Sequence, residues 1–513
     1  MLKESAACLI ATICVALFII LFGQTFSSVP LHELGDFAAN SVLIADAKHL
    51  KLLVGHYSRV GFNHPGPAFL YVLAAGEVAF FDLTHWVASP FSGQIYAVAL
   101  LSAFWIVAIG ALLRRMLGSL AGAVTTTALF VGVTAYINYQ AFAGPWFPHL
   151  YYFAFAAFTV SIAALIMGRS DGLLLLAVSL GFLLNGHASF LGMTAIMLVC
   201  ALVANTAARA RSNVRGTWLL GRDYLAANVR TIAVALAIVA LFLLPLVIQT
   251  AVHFPGPLAD YAAFGHAHKP NRPVDAVRFV GLFWSNGIFG ILFGAAACAI
   301  LVTNDPARDG EGRVAPERAL ALALASATLA FLFYSIFGVD NLSLTYVGIF
   351  YYAVPALALT LLVKRLLDNV VVATMPVAVI VCVAAGAFTA IRIHQPPENI
   401  SQYNDPDIPA AYVAIGKLEA SGVPAVLDLD GSANWEQLWS TLVGVEAYAK
   451  RRGSLPFCIA QNWQLVFARS ARCAPDVVQS AHTRFLVSAV PKDGMTGAVK
   501  VAGLYFYPRE SVK

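Results

Sequence analysis

Residues 35–74 read GDFAANSVLIADAKHLKLLVGHYSRVGFNHPGPAFLYVLA, and this stretch decides how the chain is interpreted. It opens with a glycine and an acid and continues through good helix formers. Pro65 and Pro67 then break the helical pattern before an apolar segment starts at Ala68. The pattern predicts a charged loop outside the hydrocarbon core, where irregular backbone meets water, ligand or lipid headgroups.

The composition around this loop is that of an integral membrane protein. Of the 513 residues, 59% are hydrophobic and only 12% are charged, and the mean hydropathy is +0.76. Soluble domains contain roughly 25% charged residues, so a soluble protein is excluded. The net charge of +5 is explained by membrane topology, and no nucleic-acid partner is predicted.

Apolar runs long enough to cross a bilayer recur along the first three quarters of the chain. They predict an α-helical polytopic membrane protein with about eleven transmembrane helices. The predicted spans are 7–27, 95–113, 117–135, 148–167, 172–185, 188–206, 231–251, 281–302, 319–337, 346–363 and 369–390. The apolar segment 68–81 is instead predicted to be an interfacial or re-entrant helix, because counting it would invert the charge pattern of every later loop.

Basic residues assign the loops to the two sides of the membrane. One set of alternating loops holds Lys3, Arg114, Arg115, Arg169, Arg209, Arg211, Arg215, Arg222, Arg230, Arg308, Arg313, Arg318, Lys364 and Arg365. The positive-inside rule places these loops and the N-terminus in the cytoplasm. No clear small-x-small cleavage site follows the first apolar run, so we expect this run to be retained as a span. An odd number of spans then places the C-terminus outside.

Two domains are expected. Residues 1–391 form the transmembrane domain with an outer loop at 28–94, and residues 392–513 form a small soluble extracytoplasmic α/β domain. Segments 409–422 and 435–453 have helical patterns, whereas 425–430, 484–490 and 501–507 have strand patterns. Cys458 and Cys473 lie in this tail, where an oxidising compartment permits a disulfide between them; free thiols are the alternative.

Asp36 follows Gly35 at the start of the predicted surface helix and is expected to be its N-cap. A carboxylate at a helix N-terminus tends to stay ionised, because the macrodipole and the free N–H groups favour the anion. Such a group can accept a proton from a nucleophile. Helix capping alone is the alternative for Asp36.

The layout of the N-terminal hundred residues carries a family resemblance, through GDFAANSVLIADAKH (35–49) and GHYSRVGFNHPGPAFLYVLA (55–74). An Asp just outside the first span, an amphipathic helix, a proline hinge and an apolar juxtamembrane helix follow in that order. This order resembles the GT-C superfamily of membrane glycosyltransferases. It is most similar to the branch of aminoarabinose transferases and protein O-mannosyltransferases.

The hinge matches the family pattern loosely. Relatives commonly have Phe-x-Lys-Pro-Pro or Phe-x-His-Pro-Pro about thirty positions after the first-loop acid. The corresponding residues here are Phe62, His64, Pro65 and Pro67. Gly66 separates the two prolines, and Phe37 stands where many relatives have a second acid.

The resemblance implies an inverting transferase that moves a sugar from a polyprenyl-phosphate donor to an extracytoplasmic acceptor, which could be a glycan, a lipid or a protein. The expected location is the bacterial plasma (inner) membrane, with membrane lipids as further partners. The reaction needs a base for the acceptor hydroxyl and cations for the departing lipid phosphate. Asp36 is the expected base, and Arg59 and His64 are expected phosphate contacts. Headgroup contact for Arg59 and a turn hydrogen bond for His64 are the alternatives.

A second outer loop, from His253 to Phe279, contains the other cationic cluster. Lys269 and Arg272 are expected to contact the donor phosphate, with an interfacial loop bound to lipid headgroups as the alternative. His266 and Asp340 are expected auxiliary or acceptor-binding residues, and Asp340 could equally be a turn residue. His266 and His268 have no third ligand nearby in sequence, so neither a metal site nor a cofactor is predicted, although the family includes metal-dependent enzymes.

The remaining acids of the first loop have weaker signals. Asp46 and Glu33 are expected to be solvated or to face headgroups, with a role in the site as the alternative for each; for Asp46 this role is auxiliary or acceptor-binding. His149 and His187 lie at outer ends of spans, where aromatic-belt or capping roles are expected.

Two other classes of function fit the same composition. A transporter or flippase of a lipid-linked saccharide would also have apolar spans and basic loops, but it should show charges or Gly/Pro breaks at midplane in repeated halves, which the sequence lacks. A non-catalytic cell-envelope polymer-assembly protein would work through its tail.

The charge pattern makes a topological prediction. In a cysteine-free background, single cysteines at positions 59 and 272 should react with a membrane-impermeant maleimide from outside, and one at position 114 should react only from the cytoplasm. Labelling of position 59 from the cytoplasm would overturn both the topology and the outer-face site built on it.

Overall fold

A computed structural model describes residues 2–22, 29–210, 217–285, 287–303, 314–370, 374–394, 404–418, 424–461, 470–480 and 484–509. The chain divides into two compact units. The first unit consists of Met1–Gln24 and Val98–Gln395, and the second of Thr25–Ala97 and Pro396–Lys513. Four residues of the predicted cytoplasmic loops, Arg211, Arg215, Arg308 and Arg313, lie outside the described residues.

The first three quarters of the chain are helical. The helices are α1 (Leu2–Phe22), α2 (Gly35–Ala47), α3 (Ala68–Gly76), α4 (Pro90–Leu117), α5 (Leu120–Asn138), α6 (Phe147–Ile166), α7 (Leu173–Gly186), α8 (Phe190–Ala210), α9 (Arg222–Val252), α10 (Gly256–Ala267), α11 (Pro273–Leu282), α12 (Gly287–Thr303), α13 (Pro316–Phe337), α14 (Ala353–Val370) and α15 (Met375–Ile393). A π-helical turn, Glu77–Leu83, continues α3, and 3₁₀ turns lie at Tyr139–Phe142 and Thr345–Tyr352.

Eight of the described helices are long and apolar enough to cross a membrane. They are Pro90–Leu117, Leu120–Phe142, Phe147–Ile166, Phe190–Ala208, Arg222–Val252, Pro316–Phe337, Thr345–Asn369 and Met375–Ile393. The three other predicted spans coincide with α1, α7 and α12, whose described apolar parts are shorter. The protein is therefore a polytopic membrane protein, and a total of eleven spans stays a prediction.

Polar residues inside these helices bond to their own backbone. Thr126 donates to the carbonyl of Gly122, Thr159 to Phe155 and Ser161 to Ala157, each at 2.7–2.8 Å. This i to i−4 pattern satisfies the hydroxyl where no water is at hand. Helix α6 is buried along its whole length and packs aromatic side chains against its neighbours, which makes it the centre of the first unit.

The second unit contains a five-stranded sheet. Helices α16 (Ile408–Gly416), α17 (Trp435–Lys450) and α18 (Pro475–Ser480) alternate with strands β1 (Ala425–Leu429), β2 (Phe457–Ile459), β3 (Arg484–Ser488), β4 (Val499–Val501) and β5 (Leu504–Arg509). The strand order is β2-β1-β3-β5-β4, with β1 parallel to β2 and β3, and β5 antiparallel to β3 and β4. The helical and strand patterns of the tail sequence correspond to α16, α17, β1, β3 and β5, whereas α18, β2 and β4 were not predicted.

The first loop packs with this sheet unit. The sequence predicts that loop 28–94 belongs with the transmembrane helices, whereas residues 25–97 form one compact unit with the tail. Ala38, Ala39 and Val42 of α2 share one buried core with Leu442 and Val443 of α17. This arrangement makes the tail part of the surroundings of Asp36.

A disulfide joins Cys458 to Cys473 within the tail, with their Cα atoms 4.8 Å apart, inside the usual range for bridged cysteines. Closing a loop of this length stabilises a domain by about 3 kcal/mol. We expect Cys458→Ser with Cys473→Ser to lower the free energy of unfolding of the tail by about that amount, whereas Cys382→Ser, at an unbridged cysteine, should have little effect. Thermal unfolding and mass spectrometry of non-reduced protein are the measurements, and two free thiols would contradict the pairing.

Candidate functional site

Asp36 lies in the first turn of α2. The N-cap position falls on Leu34, which has extended backbone and makes no side-chain cap bond, so the expectation that Asp36 is the cap is wrong by two residues. The half-buried Asp36 carboxylate instead accepts a hydrogen bond from the hydroxyl of Tyr57. A first-turn position keeps the favourable interaction of the anion with the helix dipole.

A tight hairpin presents Tyr57. The backbone N–H of Gly55 donates to His64 at 2.8 Å, that of His64 donates to His56 at 2.9 Å, and that of Ser58 donates to Phe62 at 2.7 Å. A Cβ on Gly55 would lie 2.8 Å from the carbonyl oxygens of both Gly66 and His64, so only glycine allows this approach. Residues 62–66 therefore fold back onto residues 55–58, the segment that contains Tyr57.

The two predicted phosphate contacts of the first loop lie in this hairpin but differ in exposure. Arg59 is exposed at its tip. His64 is only 4% exposed, and its ring packs against His56 at 4.2 Å and Phe62 at 5.7 Å between centroids. The structure thus places Tyr57, Arg59 and His64 on one short segment beside α2.

A buried ion network joins the first loop to the tail. Arg451 contacts Glu33 at 2.7 Å and Glu77 at 2.6 Å, and the two acids are 3% and 1% exposed. Gln94 donates to Glu77 at 2.8 Å, and Lys48 lies 3.5 Å from it. Burial works against the charge of Arg451, but the ion pairs with Glu33 and Glu77 outweigh it and hold the pKa of the guanidinium above its ordinary value.

Sequence reasoning did not find this network. Glu33 was expected to be solvated or to face headgroups, which is wrong because Arg451 neutralises it in the interior. Glu77 opens a π-helical turn, a feature often found at functional sites. A lone acid in the apolar run LYVLAAGEVAFF was the signal that could have revealed Glu77.

Asp46 lies at the other end of α2, ten residues and therefore about 15 Å along the helix from Asp36. It pairs with Lys450 at 2.9 Å. Near this pair, burial raises the pKa of Glu446 to about 7. The hydrogen bond that Ser470 donates to Glu446 and the positive charge of Lys450 oppose this shift and lower the pKa by less than burial raises it. Asp46 thus contributes to the packing of α2 on α17, and its predicted auxiliary role is untested.

The remaining predicted site residues belong to the first unit. His266 lies in the last turn of α10, and Lys269 and Arg272 are exposed in the segment before α11. Asn271 anchors this segment, because its side-chain amide donates to Ser335 at 2.9 Å and to Val339 at 2.5 Å. The anchor brings Lys269 and Arg272 to the turn that carries the exposed Asp340.

His149 in α6 was expected to belong to an aromatic belt or a cap. It is instead buried, 4% exposed, with Trp146 packed against its ring at 5.8 Å, and neither ring nitrogen has a hydrogen-bond partner among the described residues. Across the described part of the chain, no group of three or more His, Cys, Asp or Glu residues is arranged to hold a metal ion.

The fold of the chain is similar to that of solved structures of GT-C membrane glycosyltransferases. The chain is similar to the crystal structure of ArnT, an aminoarabinose transferase, from Cupriavidus metallidurans in the apo state: 12% identity, 98% of each chain covered, TM-score 0.56. The same protein bound to undecaprenyl phosphate matches at 13% identity over 98% of this chain and 97% of that one, TM-score 0.55. The archaeal oligosaccharyltransferase AglB from Archaeoglobus fulgidus matches at 13% identity over 87% of this chain and 64% of its own, TM-score 0.39.

At the level of sequence, no described protein family matches the chain, and no curated protein matches it either. The similarity is therefore one of fold.

The buried ion network makes a prediction about stability. Arg451→Met leaves Glu33 and Glu77 buried without their partner, which should destabilise the second unit by about 3–5 kcal/mol. Adding Glu33→Gln and Glu77→Gln should restore much of the loss, because the uncompensated charges are gone. Thermal and denaturant unfolding of the purified protein measure both effects.

Arg484→Met is the matched control, since Arg484 pairs with Asp428 at 2.7 Å on the sheet and is more exposed. It should cost less than Arg451→Met, and neutralising Glu33 and Glu77 should not rescue it. Equal losses for both arginine variants would contradict the network's role.

Proposed function

We propose that the protein is a glycosyltransferase that moves a sugar from a polyprenyl-phosphate donor to an extracytoplasmic acceptor with inversion. The observation that carries the proposal is the Asp36 carboxylate, held by Tyr57 in the first turn of α2, in the first loop of a chain with the GT-C fold. A half-buried carboxylate at that place can act on a hydroxyl group.

The reaction is a single displacement. Asp36 takes the proton of the acceptor hydroxyl while the oxygen of that hydroxyl attacks the anomeric carbon of the donor sugar. The bond from the anomeric carbon to the phosphate oxygen breaks on the opposite face of the sugar. The electron pair leaves with the lipid phosphate, whose growing charge needs cationic donors. Arg59 and His64 in the first loop are the proposed donors, and the phosphate contacts expected of Lys269 and Arg272 stay predictions from the sequence.

A lipid-linked donor is supported by two observations. One of the similar structures, that of ArnT, is bound to undecaprenyl phosphate. The chain of this protein has neither a P-loop nor a Rossmann fingerprint, as a lipid-linked donor requires none. The acceptor is a glycan, a lipid or a protein.

We also propose a membrane topology and a division into domains for this reaction. It has eleven spans, a transmembrane domain at 1–391, an extracytoplasmic α/β domain at 392–513 and a cytoplasmic N-terminus, in a bacterial inner membrane. The mechanism as proposed requires no cofactor. An exposed Arg59 on the outer side would meet the donor phosphate at the level of the lipid headgroups.

Asp36→Asn tests the base. Asn keeps the size of the side chain and can still accept from Tyr57, but it cannot take up a proton, so the rate of transfer should fall by about 10² to 10⁴ while folding survives. The assay follows release of undecaprenyl phosphate by mass spectrometry from undecaprenyl-phosphate-linked mannose, glucose and aminoarabinose, with a bacterial envelope extract as acceptor.

Asp46→Asn, an acid on the same helix, is the comparison at matched thermal stability. A large loss at Asp36 with a small one at Asp46 supports the proposal. Near-normal transfer by Asp36→Asn would remove the base, and with it the main reason for preferring a transferase over a transporter of lipid-linked saccharides.

A further inference from the structure

The tail contacts the segment that holds Asp36 directly. Trp439 on α17 packs edge-on against Tyr57, with 6.0 Å between ring centroids and 65° between ring planes. Tyr57 in turn donates its hydroxyl hydrogen to Asp36. A chain of three side chains therefore leads from the core of the tail to the proposed base.

Helix α17 also approaches the backbone just before Asp36. A Cβ on Gly444 would lie 2.8 Å from Cδ2 of Leu34 and 3.1 Å from the carbonyl oxygen of Glu33, so the missing side chain at Gly444 permits the contact. The segment that enters α2 thus rests on the face of α17.

Polar contacts join α17 to both ends of α2. Arg451, directly after α17, pairs with the buried Glu33 before α2, whereas Lys450 makes more exposed contacts with Asp46 and with the carbonyl oxygen of Val42 in the second half of α2. A shift of α17 along α2 would separate Arg451 from Glu33 and leave a buried carboxylate without its partner, which is costly. A tail element distant in the sequence therefore holds the segment that enters the helix turn of Asp36.

We propose that Tyr57 and Trp439 are positioning residues for the Asp36 carboxylate, through which the tail takes part in catalysis. This inference rests on the proposed function, because it concerns the geometry of the same base. A general base has to lie within hydrogen-bond reach of the proton it takes, and a misplacement of about 1 Å can cost about 10²-fold in rate.

The experiment compares Tyr57→Phe and Trp439→Leu with the controls Tyr412→Phe and Trp435→Leu. Tyr412 is a tyrosine of the tail whose hydroxyl contacts Ser454, and Trp435 lies on α17 but is 41% exposed, against 9% for Trp439. The rate constant kcat, KM and thermal stability are measured with the undecaprenyl-phosphate-linked sugars, each change being made both in the wild type and in Asp36→Asn.

Tyr57→Phe and Trp439→Leu should lower kcat by about 10- to 100-fold with little change in KM, and neither control should do so. In the Asp36→Asn background, the same two changes should cause no further loss, because residues that act only through Asp36 have nothing left to position. Two results would overturn the proposal. One is a fall in kcat of equal size in the wild-type and Asp36→Asn backgrounds, and the other is a fall in kcat that is explained by lower thermal stability.

The failure of this inference is distinct from that of the proposed function. An inactive Asp36→Asn together with a fully active Tyr57→Phe and Trp439→Leu leaves the base in place and removes the positioning role. An active Asp36→Asn removes both.

Discussion

Arg451 lies between the buried carboxylates of Glu33 and Glu77, and the second unit depends on these two ion pairs. Guanidinium can donate to two acids at once through its planar array of N–H groups, which an ammonium ion matches less well. Glu33 stands before α2, and Glu77 opens the π-helical turn after α3. One side chain directly after α17 therefore holds two positions of the first loop, one before α2 and one after α3, and Asp36 lies between them in the chain.

Burying these charges costs desolvation free energy, so their contribution is more to the alignment of the helices than to stability. Apolar residues of similar volume could often fill the same space with equal or greater stability, since desolvation of an ion pair offsets most of its attraction. Apolar packing between Ala38, Val42 and Leu442 brings α2 and α17 together but constrains their relative translation weakly. We interpret the ion pairs as the element that selects one alignment of the two helices, which the geometry of a base requires.

Much of the fold was predictable because it depends on local patterns. Hydropathy located the long helices, the tail periodicity located α16, α17 and three strands, and the proline hinge marked the break before α3. Asp36 was placed near the right helix terminus, two residues from the cap position. The expectation for Glu33 was wrong. The sequence marks Arg451 only as one of several basic residues at the end of a helix, because the Glu77 with which Arg451 pairs lies 374 residues away. No pattern within a window of twenty residues contains that information.

The sequence by itself determined the class of protein, the positions of most helices and the resemblance of the first loop to GT-C enzymes, since composition, periodicity and motif order are properties of neighbouring residues. Only the tertiary structure decided which charges are buried, that residues 25–97 pack with the tail, and that Tyr57 and Trp439 lie beside Asp36. The physical reason is that the free energy of a buried charge depends on the partner opposite it, and that partner comes from a distant part of the chain.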